Sequence, residues 1–348
     1  MFIPSVVTAQ HLTAKWKWEF LASIPDTMGY AGAYVGTVNN YLLVAGGANF
    51  PDGTAPWDGG KKVWTGRTFV LKEKEGEWIE CSRLPQCMGY GATVSYEGKM
   101  YVAGGSDEQQ HLDVVYEICW DDSAQDLKYR LLGKLPTPLA NCASIRIGHY
   151  WYILGGIRTA DAKMAESSCW KLDLRMPEGN WVPVAAVPGK GRMLAVAADM
   201  DNRLLVFSGV ALENGQREYL EDAYILESDG RWTSLPQVPT AVAAATGPAY
   251  YDSRLKSVFV FGGDDGRLAQ SNLKHEHPGF STRILQLDCT EREWSFHSDI
   301  AISSEDKVWV PVTTGSVYWQ GGVVLPTGEV RPGIRSPQVL MGNLILDK

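Results

Sequence analysis

The chain has 348 residues, a net charge of −8 at pH 7, 36 glycines and 13 tryptophans. This acidic balance, with no basic stripe to offset it, argues against a nucleic-acid backbone as the partner. No apolar run reaches the roughly 18 residues that a membrane-spanning helix needs, so we expect no membrane partner. A small anionic ligand is compatible with the charge, because a local cluster of Arg or Lys is enough to bind it.

The N-terminal segment carries an incomplete export signal. Residues 1–10 lack a basic start, and their apolar run is too short for a complete signal peptide. Val7-Thr8-Ala9 before Gln10 nevertheless resembles the small-residue end of one. A trimmed or misassigned start and an ordinary frayed terminus both fit. We assign residues 1–14 to a tail or signal-peptide remnant and expect a periplasmic or secreted protein, with a cytoplasmic one as the alternative.

Apolar residues followed by a glycine pair recur along the chain. With Ser in place of Gly in the fourth copy, the six copies begin at Gly46, Gly104, Gly155, Ser208, Gly262 and Gly321. Successive copies lie 51 to 59 residues apart. A period near 50 residues is typical of a kelch-type β-propeller, in which each period is one four-stranded blade. One blade cannot bury its own faces but six in a ring can, so we predict a single domain over residues 15–348.

Each period has the pattern of four strands: a small-residue inner strand, the apolar strand before the glycine pair, a third strand, and an outer strand with Trp. The third strands are predicted at 67–71, 114–118, 168–172, 223–226 and 284–287. Residues 16–20 have the pattern of an outer strand. Its three partners are expected at 308–312, 316–320 and 338–346. The predicted fold is all-β, a six-bladed kelch-type β-propeller whose last blade is closed by the N-terminal strand, which removes a free sheet edge.

Cysteine and histidine give no complete metal site. The six cysteines show neither a CxxC pair nor zinc spacing, which favours small buried residues over structural disulfides. His275 and His277 flank Glu276 and have the spacing of two metal ligands, but their polar loop offers no clear third ligand. We therefore predict no metal.

The loops that follow the glycine pairs lie on one face of the predicted propeller, where function usually resides. The last of them reads Thr327-Gly328-Glu329-Val330-Arg331-Pro332-Gly333-Ile334-Arg335. A Gly-Glu-x-(Lys/Arg)-Pro-Gly-(Leu/Ile)-Arg loop after a kelch strand resembles that of the bacterial N-acetylneuraminate mutarotases, also called epimerases. The resemblance implies six kelch blades, with Glu329 and Arg335 as the catalytic residues.

A second loop carries the same resemblance. The segment Gly46-Gly47-Ala48-Asn49-Phe50-Pro51, with Gly60-Lys61-Lys62 downstream, is similar to a blade loop of the cyclically permuted mutarotases. The order of the blades agrees with permutation, since the blade with the Glu/Arg loop comes last here and in the middle of the enterobacterial type. The implied partner is sialic acid, a small anionic sugar.

The implied chemistry suits these residue types. Sialic acid is a hemiketal with a carboxylate on its anomeric carbon, so exchange of its α and β forms requires ring opening, bond rotation and reclosure. A carboxylate such as Glu329 can take the anomeric hydroxyl proton and return it. An arginine such as Arg335 can hold the substrate carboxylate with two charge-assisted hydrogen bonds. No cofactor is required.

Further polar residues near the same face complete the predicted site. Together they form a positive, polar-lined funnel suited to an anionic sugar. They are Asn49, Lys61, Arg67, Asn141, Arg158 and Arg192. Asn141 and Arg192 precede inner strands and are expected at the channel mouth. Tyr30 and Tyr90 either stack on the sugar or pack in the core.

Other interpretations stay open. Residues 329–335 also fit a solvated charged turn with Pro332-Gly333 at its tip. A kelch propeller can equally be a protein- or sugar-binding module without catalysis, since fold alone does not set function. Another anionic or N-acetylated sugar fits the same site, and the sequence leaves the oligomeric state open, a homodimer included.

Overall fold

Strands and tight turns make up nearly all of the molecule. The computed structural model describes residues 13–303 and 307–346. Residues 1–12, which hold most of the predicted tail or signal-peptide remnant, lie outside the described residues. Within the two described ranges the only helices are short 3-10 turns at Pro56–Asp58 and Lys274–Glu276. No helix in these ranges is long and apolar enough to cross a membrane. The prediction of an all-β fold is confirmed.

Six four-stranded antiparallel sheets contain most of the strands, and we number them in chain order. Sheet 1 consists of Tyr34–Val38, Tyr41–Ala45, Thr68–Leu71 and Trp78–Cys81, and sheet 2 of Ala92–Tyr96, Lys99–Ala103, Val114–Asp121 and Asp126–Lys134. Sheet 3 consists of Ala143–Ile147, Tyr150–Leu154, Cys169–Asp173 and Val182–Val184, and sheet 4 of Val196–Asp199, Leu204–Phe207, Ala223–Leu226 and Trp232–Leu235. Sheet 5 consists of Tyr250–Asp252, Ser257–Phe261, Arg283–Asp288 and Glu293–Asp299, and sheet 6 of Val317–Trp319, Gly322–Arg331, Ile334–Leu346 and Ala14–Leu21.

Two smaller sheets include residues of the loops that follow the second strands. One is a three-stranded sheet of Arg192–Met193, Val210–Glu213 and Gln216–Tyr219. The other is a two-stranded sheet of Ala48–Asn49 and Val63–Trp64. Both give defined backbone geometry to loops that would otherwise be irregular.

The N-terminal strand is the outer strand of sheet 6. It pairs in register with the C-terminal strand, from Ala14 opposite Leu346 to Leu21 opposite Val339, as predicted. Trp18 is 4% exposed and its ring lies edge-on to Phe261 of sheet 5, with the centroids 5.4 Å apart. Burial of such a side chain contributes on the order of 3 kcal/mol, so this strand joins the two ends of the chain and two neighbouring sheets.

Six residues, one just before each innermost strand, form a closed ring of backbone hydrogen bonds. Each N–H donates to the carbonyl of the preceding member at 2.7–2.9 Å, and Gly32 donates to Thr313 to complete the ring. All six have positive φ, between 54° and 68°. In order they are Gly32, Tyr90, Asn141, Leu194, Ala244 and Thr313. The ring fixes the six strand starts around a common axis.

The glycine pairs join neighbouring sheets. The N–H of Gly47 donates to the carbonyl oxygen of Met88, at the start of the next repeat, at 2.8 Å. A Cβ at Gly46 would lie 2.3 Å from that oxygen, so no side chain fits there. In the fourth copy the hydroxyl of Ser208 accepts the N–H of Val242 at 2.9 Å. A side chain there makes the link to the next sheet.

Sheet 6 departs from the prediction in its register. Gln320 and Gly321 form the turn between strands Val317–Trp319 and Gly322–Arg331, so the predicted sixth glycine pair at Gly321 is wrong. The predicted strands 308–312 and 316–320 reduce to the single strand Val317–Trp319. The second strand, Gly322–Arg331, extends into the predicted loop as far as Arg331.

The equivalent of the glycine pair in sheet 6 is Thr327-Gly328. The bridge of Val312 to Glu329 repeats the bridge of Ala31 to Ala48 that follows the first pair. The hydroxyl of Thr327 accepts the N–H of Tyr30 at 2.7 Å and donates to the carbonyl of Ser336 at 2.8 Å. Thr327 has a positive φ of 49°, as the first glycine of the other pairs does. Its side-chain hydrogen bonds stabilise this conformation, so Thr can stand in the place of the first Gly. Glu329 is then the first residue after the pair.

Candidate functional site

Glu329 and Arg335 face each other at the tip of the longest hairpin of sheet 6. They are direct partners across the two strands, after a bulge near Pro326, and the turn between them contains Gly333. The N–H of Gly333 donates to Oε1 of Glu329 at 2.6 Å. This bond fixes the carboxylate in place, and its Oε2 makes no hydrogen bond with the described residues.

Arg335 is a buried cation with unused hydrogen-bond donors. Its side chain is 6% exposed, and its Nη1 lies 3.6 Å from Oε1 of Glu329, too far for a hydrogen bond. Its guanidinium stacks over the ring of Phe50, 4.8 Å from the centroid. Nε and Nη1 have no hydrogen-bond partner among the described residues. Since a buried unpaired donor is costly, this arrangement suits an anionic ligand that would supply the missing acceptors.

The loop with Phe50 brings a lysine to the same place. Trp64 and Val63 pair with Ala48 and Asn49, so Lys62 and Trp64 lie on one side of the short strand and Val63 on the other. The Lys62 ammonium lies 4.3 Å from the Trp64 ring centroid and 4.1 Å from that of Tyr90. Lys61, the predicted binding residue, is exposed, and sequence reasoning missed its neighbour Lys62.

The charges of the site act on one another. Burial lowers the pKa of Lys62 to about 8, with a further lowering by Arg335 that Glu329 opposes. Burial raises the pKa of Tyr90 to about 12, although the charge of Arg335 works against this rise. At neutral pH Lys62 is therefore protonated but loses its proton more readily than an ordinary lysine, and the phenol of Tyr90 is neutral. The Tyr90 hydroxyl has no hydrogen-bond partner among the described residues.

A histidine and a serine border Lys62 and Trp64. Burial lowers the pKa of His111, and the charge of Lys62 adds to the lowering. Nδ1 of His111 lies 3.1 Å from the carbonyl oxygen of Ile157. The indole N–H of Trp64 donates to the hydroxyl of Ser106 at 3.2 Å. Ser106 follows the second glycine pair, as Glu329 follows its Thr-Gly equivalent. That repeat position was the available signal for Ser106, and neither Ser106 nor His111 was predicted.

Two of the predicted arginines, Arg67 and Arg158, are already paired with carboxylates. Arg67 bonds Asp26 at 2.9 Å and Glu80 at 2.8 Å, and it lowers the pKa of Glu80. Arg158 bonds Glu166 at 2.8 Å on the surface. The structure does not bring either arginine to Arg335 as a free cation.

Arg192 does not reach the channel mouth where it was expected. Its side chain is fully buried, and both terminal nitrogens bond the carboxylate of Asp222, at 2.7 and 2.8 Å. Arg192 therefore links the short sheet to the loop before the third strand of sheet 4, and the predicted funnel has fewer free positive charges than expected.

The predicted asparagines lie at two different depths. Asn49 is buried beside Phe50, with its amide nitrogen 3.5 Å from Asp26. Asn141 belongs to the backbone ring and, with Tyr90, lines an axial cavity of ≈ 590 Å³. Tyr30 is buried and its hydroxyl donates to Asp26 at 2.6 Å, which is the core-packing alternative. Glu329 and Arg335 do not line the axial cavity, so the site lies beside the axis, next to Tyr90.

His275 and His277 do not form a metal site with a third ligand. His275 Nε2 lies 3.0 Å from the carboxylate of Asp58. Within residues 13–303 and 307–346, no three His, Cys, Asp or Glu side chains are close enough to hold a metal ion. All six cysteines are free.

Comparison with known proteins points to one family. Residues 5–128 match the family model described as N-acetylneuraminate epimerase. The N-acetylneuraminate epimerase of Pasteurella multocida is 32% identical over 121 residues, which is 30% of this chain and 32% of that protein. That of Haemophilus influenzae strain PittEE is 25% identical over 202 residues, 50% of this chain and 51% of that protein. The chain thus matches between a third and a half of the length of these curated relatives. The resemblance predicted from the sequence is confirmed.

A solved structure shares the fold over nearly the whole chain. The protein in "Structure of YjhT" is similar with a TM-score of 0.64, covering 94% of this chain and 99% of that chain, at 14% sequence identity. At this identity the likeness concerns the fold alone. The family match at residues 5–128 includes the loop with Phe50 and Lys62 but ends before the Glu329 hairpin.

Proposed function

We propose that this protein is a cofactor-free mutarotase that interconverts the α and β anomers of N-acetylneuraminate or a closely related acidic sugar. The observation that carries the proposal is the pairing of Glu329 with a buried Arg335 whose Nε and Nη1 lack partners, 3.6 Å from the carboxylate. The family resemblance supplies the substrate class. Arg67, Arg158 and Arg192 are paired with carboxylates, whereas Arg335 and Lys62 make no hydrogen bond to a carboxylate among the described residues.

We propose further that the six sheets are the blades of one kelch-type propeller. Two features support a closed ring of blades. They are the ring of six backbone hydrogen bonds and the pairing of the N-terminal strand with the C-terminal strand. A ring of this kind leaves few free sheet edges and provides a rigid base for the loops. The site then lies beside the axial cavity, next to Tyr90.

Substrate binding in this proposal begins with the sugar carboxylate. Arg335 donates from Nε and a terminal nitrogen, a planar fork that matches two carboxylate oxygens. The sugar carboxylate then replaces the missing hydrogen-bond acceptors of a buried cation. Because the carboxylate is attached to the anomeric carbon, this contact also brings that carbon next to Glu329.

Glu329 carries the first proton transfer. Its carboxylate takes the proton of the anomeric hydroxyl, and the electron pair of that O–H bond forms a carbonyl. The bond from the anomeric carbon to the ring oxygen breaks, and its electron pair stays on the ring oxygen, which gains a proton from a second group and returns it on reclosure. Rotation about the bond to the next ring carbon presents the other face of the carbonyl. On reclosure the new anomeric oxygen takes the proton back from Glu329. The Gly333 N–H holds Oε1, which leaves Oε2 for the proton.

The test is the rate at which freshly dissolved α-N-acetylneuraminate reaches anomeric equilibrium, followed by proton NMR with and without the protein. We expect acceleration well beyond the spontaneous rate. The methyl ester of the sugar is the matched probe, because it lacks the charge that Arg335 binds, and its acceleration should be about 100-fold weaker. Binding without acceleration, measured by calorimetry, would favour a sugar-binding module instead.

A further inference from the structure

Lys62 has the surroundings of a residue held ready for a ligand. Its ammonium lies between two aromatic faces, 4.3 Å from the Trp64 centroid and 4.1 Å from the Tyr90 centroid. Such faces attract a cation and restrict its position. The ammonium makes no salt bridge or hydrogen bond with the described residues. All of its N–H donors therefore remain available.

Four ionisable groups face Lys62. Arg335 and Glu329 act on its charge from the hairpin of sheet 6, and Tyr90 lies against it from the backbone ring. His111 feels its charge from the loop of sheet 2. Lys62 thus belongs to the same electrostatic cluster as the two residues of the proposed mechanism.

We propose that Lys62 is a second catalytic residue, which gives a proton to the ring oxygen of the sugar as Glu329 takes one from the anomeric hydroxyl. This inference rests on the proposed mutarotase function. It differs from the residue assignment made from sequence, which named Lys61 and gave it a binding role.

The two proton transfers balance. As the bond between the anomeric carbon and the ring oxygen breaks, its electron pair stays on that oxygen and takes a proton from the Lys62 ammonium. The open-chain keto sugar then faces a neutral Lys62 amine and a protonated Glu329. On reclosure the amine takes the proton from the attacking hydroxyl, and Glu329 returns its proton to the former carbonyl oxygen. Both residues end in their starting states.

Lys62 suits this role better than its neighbours. With a pKa near 8 it is protonated at neutral pH and yet gives up the proton far more easily than an ordinary lysine, as an acid–base catalyst should. Tyr90, with a pKa near 12, is a much weaker acid. His111, with a lowered pKa and Nδ1 against a backbone carbonyl, is neutral at neutral pH.

The test compares Lys62→Met and Lys62→Arg with Lys17→Met, a control at an exposed lysine on the outer strand of sheet 6. Anomerisation rates are measured by NMR from pH 6 to 9, after subtraction of the spontaneous rate, and melting curves check that each variant folds. We expect the wild-type kcat/KM to fall above about pH 8, as the ammonium of the free protein loses its proton. Lys62→Met should lose about 100-fold in kcat together with this basic limb, and Lys17→Met should stay within about twofold.

Lys62→Arg separates charge from proton transfer. A guanidinium keeps the positive charge but does not release a proton in this pH range, so sugar affinity should be retained while kcat falls. A Lys62→Met variant with wild-type kcat and an unchanged basic limb would overturn the role of Lys62 and leave the mutarotase standing. So would a variant that changes only KM. A wild-type protein without acceleration would overturn both proposals.

Discussion

Two buried arginines of this protein have opposite surroundings. Arg192 is fully buried and both of its terminal nitrogens bond Asp222, at 2.7 and 2.8 Å, which leaves only Nε without a partner. The side chain of Arg335 is 6% exposed, its Nη1 lies 3.6 Å from Oε1 of Glu329, and Nε and Nη1 have no hydrogen-bond partner among the described residues. The paired arginine stabilises the fold, whereas the unpaired one retains its binding capacity at a cost in stability. The exposed fraction of the side chain does not distinguish Arg192 from Arg335. Their hydrogen-bond partners do.

The largest expected effect on stability is at Arg192. Arg192→Met leaves Asp222 without its cation in a largely buried place, so the free energy of unfolding should fall by about 3 kcal/mol. Urea unfolding measures it. The double variant Arg192→Met/Asp222→Leu is the control and should recover part of the loss, since it removes both charges. A loss below about 1 kcal/mol in the single variant would contradict a structural role.

Arg335→Met should show the reverse pattern. We expect kcat/KM for the sugar acid to fall by about 100-fold, the value of a lost charge-assisted contact. The free energy of unfolding should stay within about 1 kcal/mol of wild type or rise, because an unpaired buried charge is removed. NMR rates and urea unfolding give the two numbers. A destabilisation as large as that of Arg192→Met would make Arg335 a structural residue.

Lys62 should make stability depend on pH in a defined window. Its pKa in the folded protein is about 8, below the ordinary lysine value, so the unfolded chain binds more protons between about pH 8 and 10.5 and stability rises with pH there. We expect wild type to gain about 1–2 kcal/mol relative to Lys62→Met between pH 7.5 and 10. Urea unfolding at both pH values, with Lys61→Met as the control, measures the difference. Equal changes in all three proteins would show that the folded environment leaves the pKa of Lys62 unchanged.

The smallest effect is expected at Arg158. Its pair with Glu166 is on the surface, so Arg158→Gln should change the free energy of unfolding by less than about 1 kcal/mol. The rate of anomerisation should be unchanged, since Arg158 is already paired. A large loss of sugar affinity in this variant would return Arg158 to the binding site as first predicted.

The repeat could be predicted from the sequence because the glycine pairs lie where a side chain would clash with the backbone of the next repeat. At Gly46 a Cβ would lie 2.3 Å from a carbonyl oxygen of the next repeat. The same reasoning failed in sheet 6, where the Thr327 hydroxyl makes the bridging contacts and Gln320-Gly321 is an ordinary turn that mimics the motif. A glycine pair in sequence cannot be told from a turn before strand register is known.

Site residues were predictable only where one segment contains them all. Glu329 and Arg335 lie in one hairpin, so their spacing could be read directly. The choice between Lys61 and Lys62 depends on which side of a two-residue strand faces the hairpin, and that is set by pairing with Ala48 and Asn49. The pairing of Arg192 with Asp222 spans 30 residues, and nothing local in the sequence indicates it.

Whether the Glu329 carboxylate moves the proton is tested by the anomerisation rate of Glu329→Gln, measured by proton NMR on freshly dissolved α-N-acetylneuraminate beside wild type. Glutamine keeps the size of the side chain and its acceptor for the Gly333 N–H, but it cannot take the proton. We predict that the variant binds the sugar with an affinity within about threefold of wild type and loses at least about 100-fold in rate. Acceleration that survives in Glu329→Gln would show that the proton moves through another group and would overturn the role of Glu329.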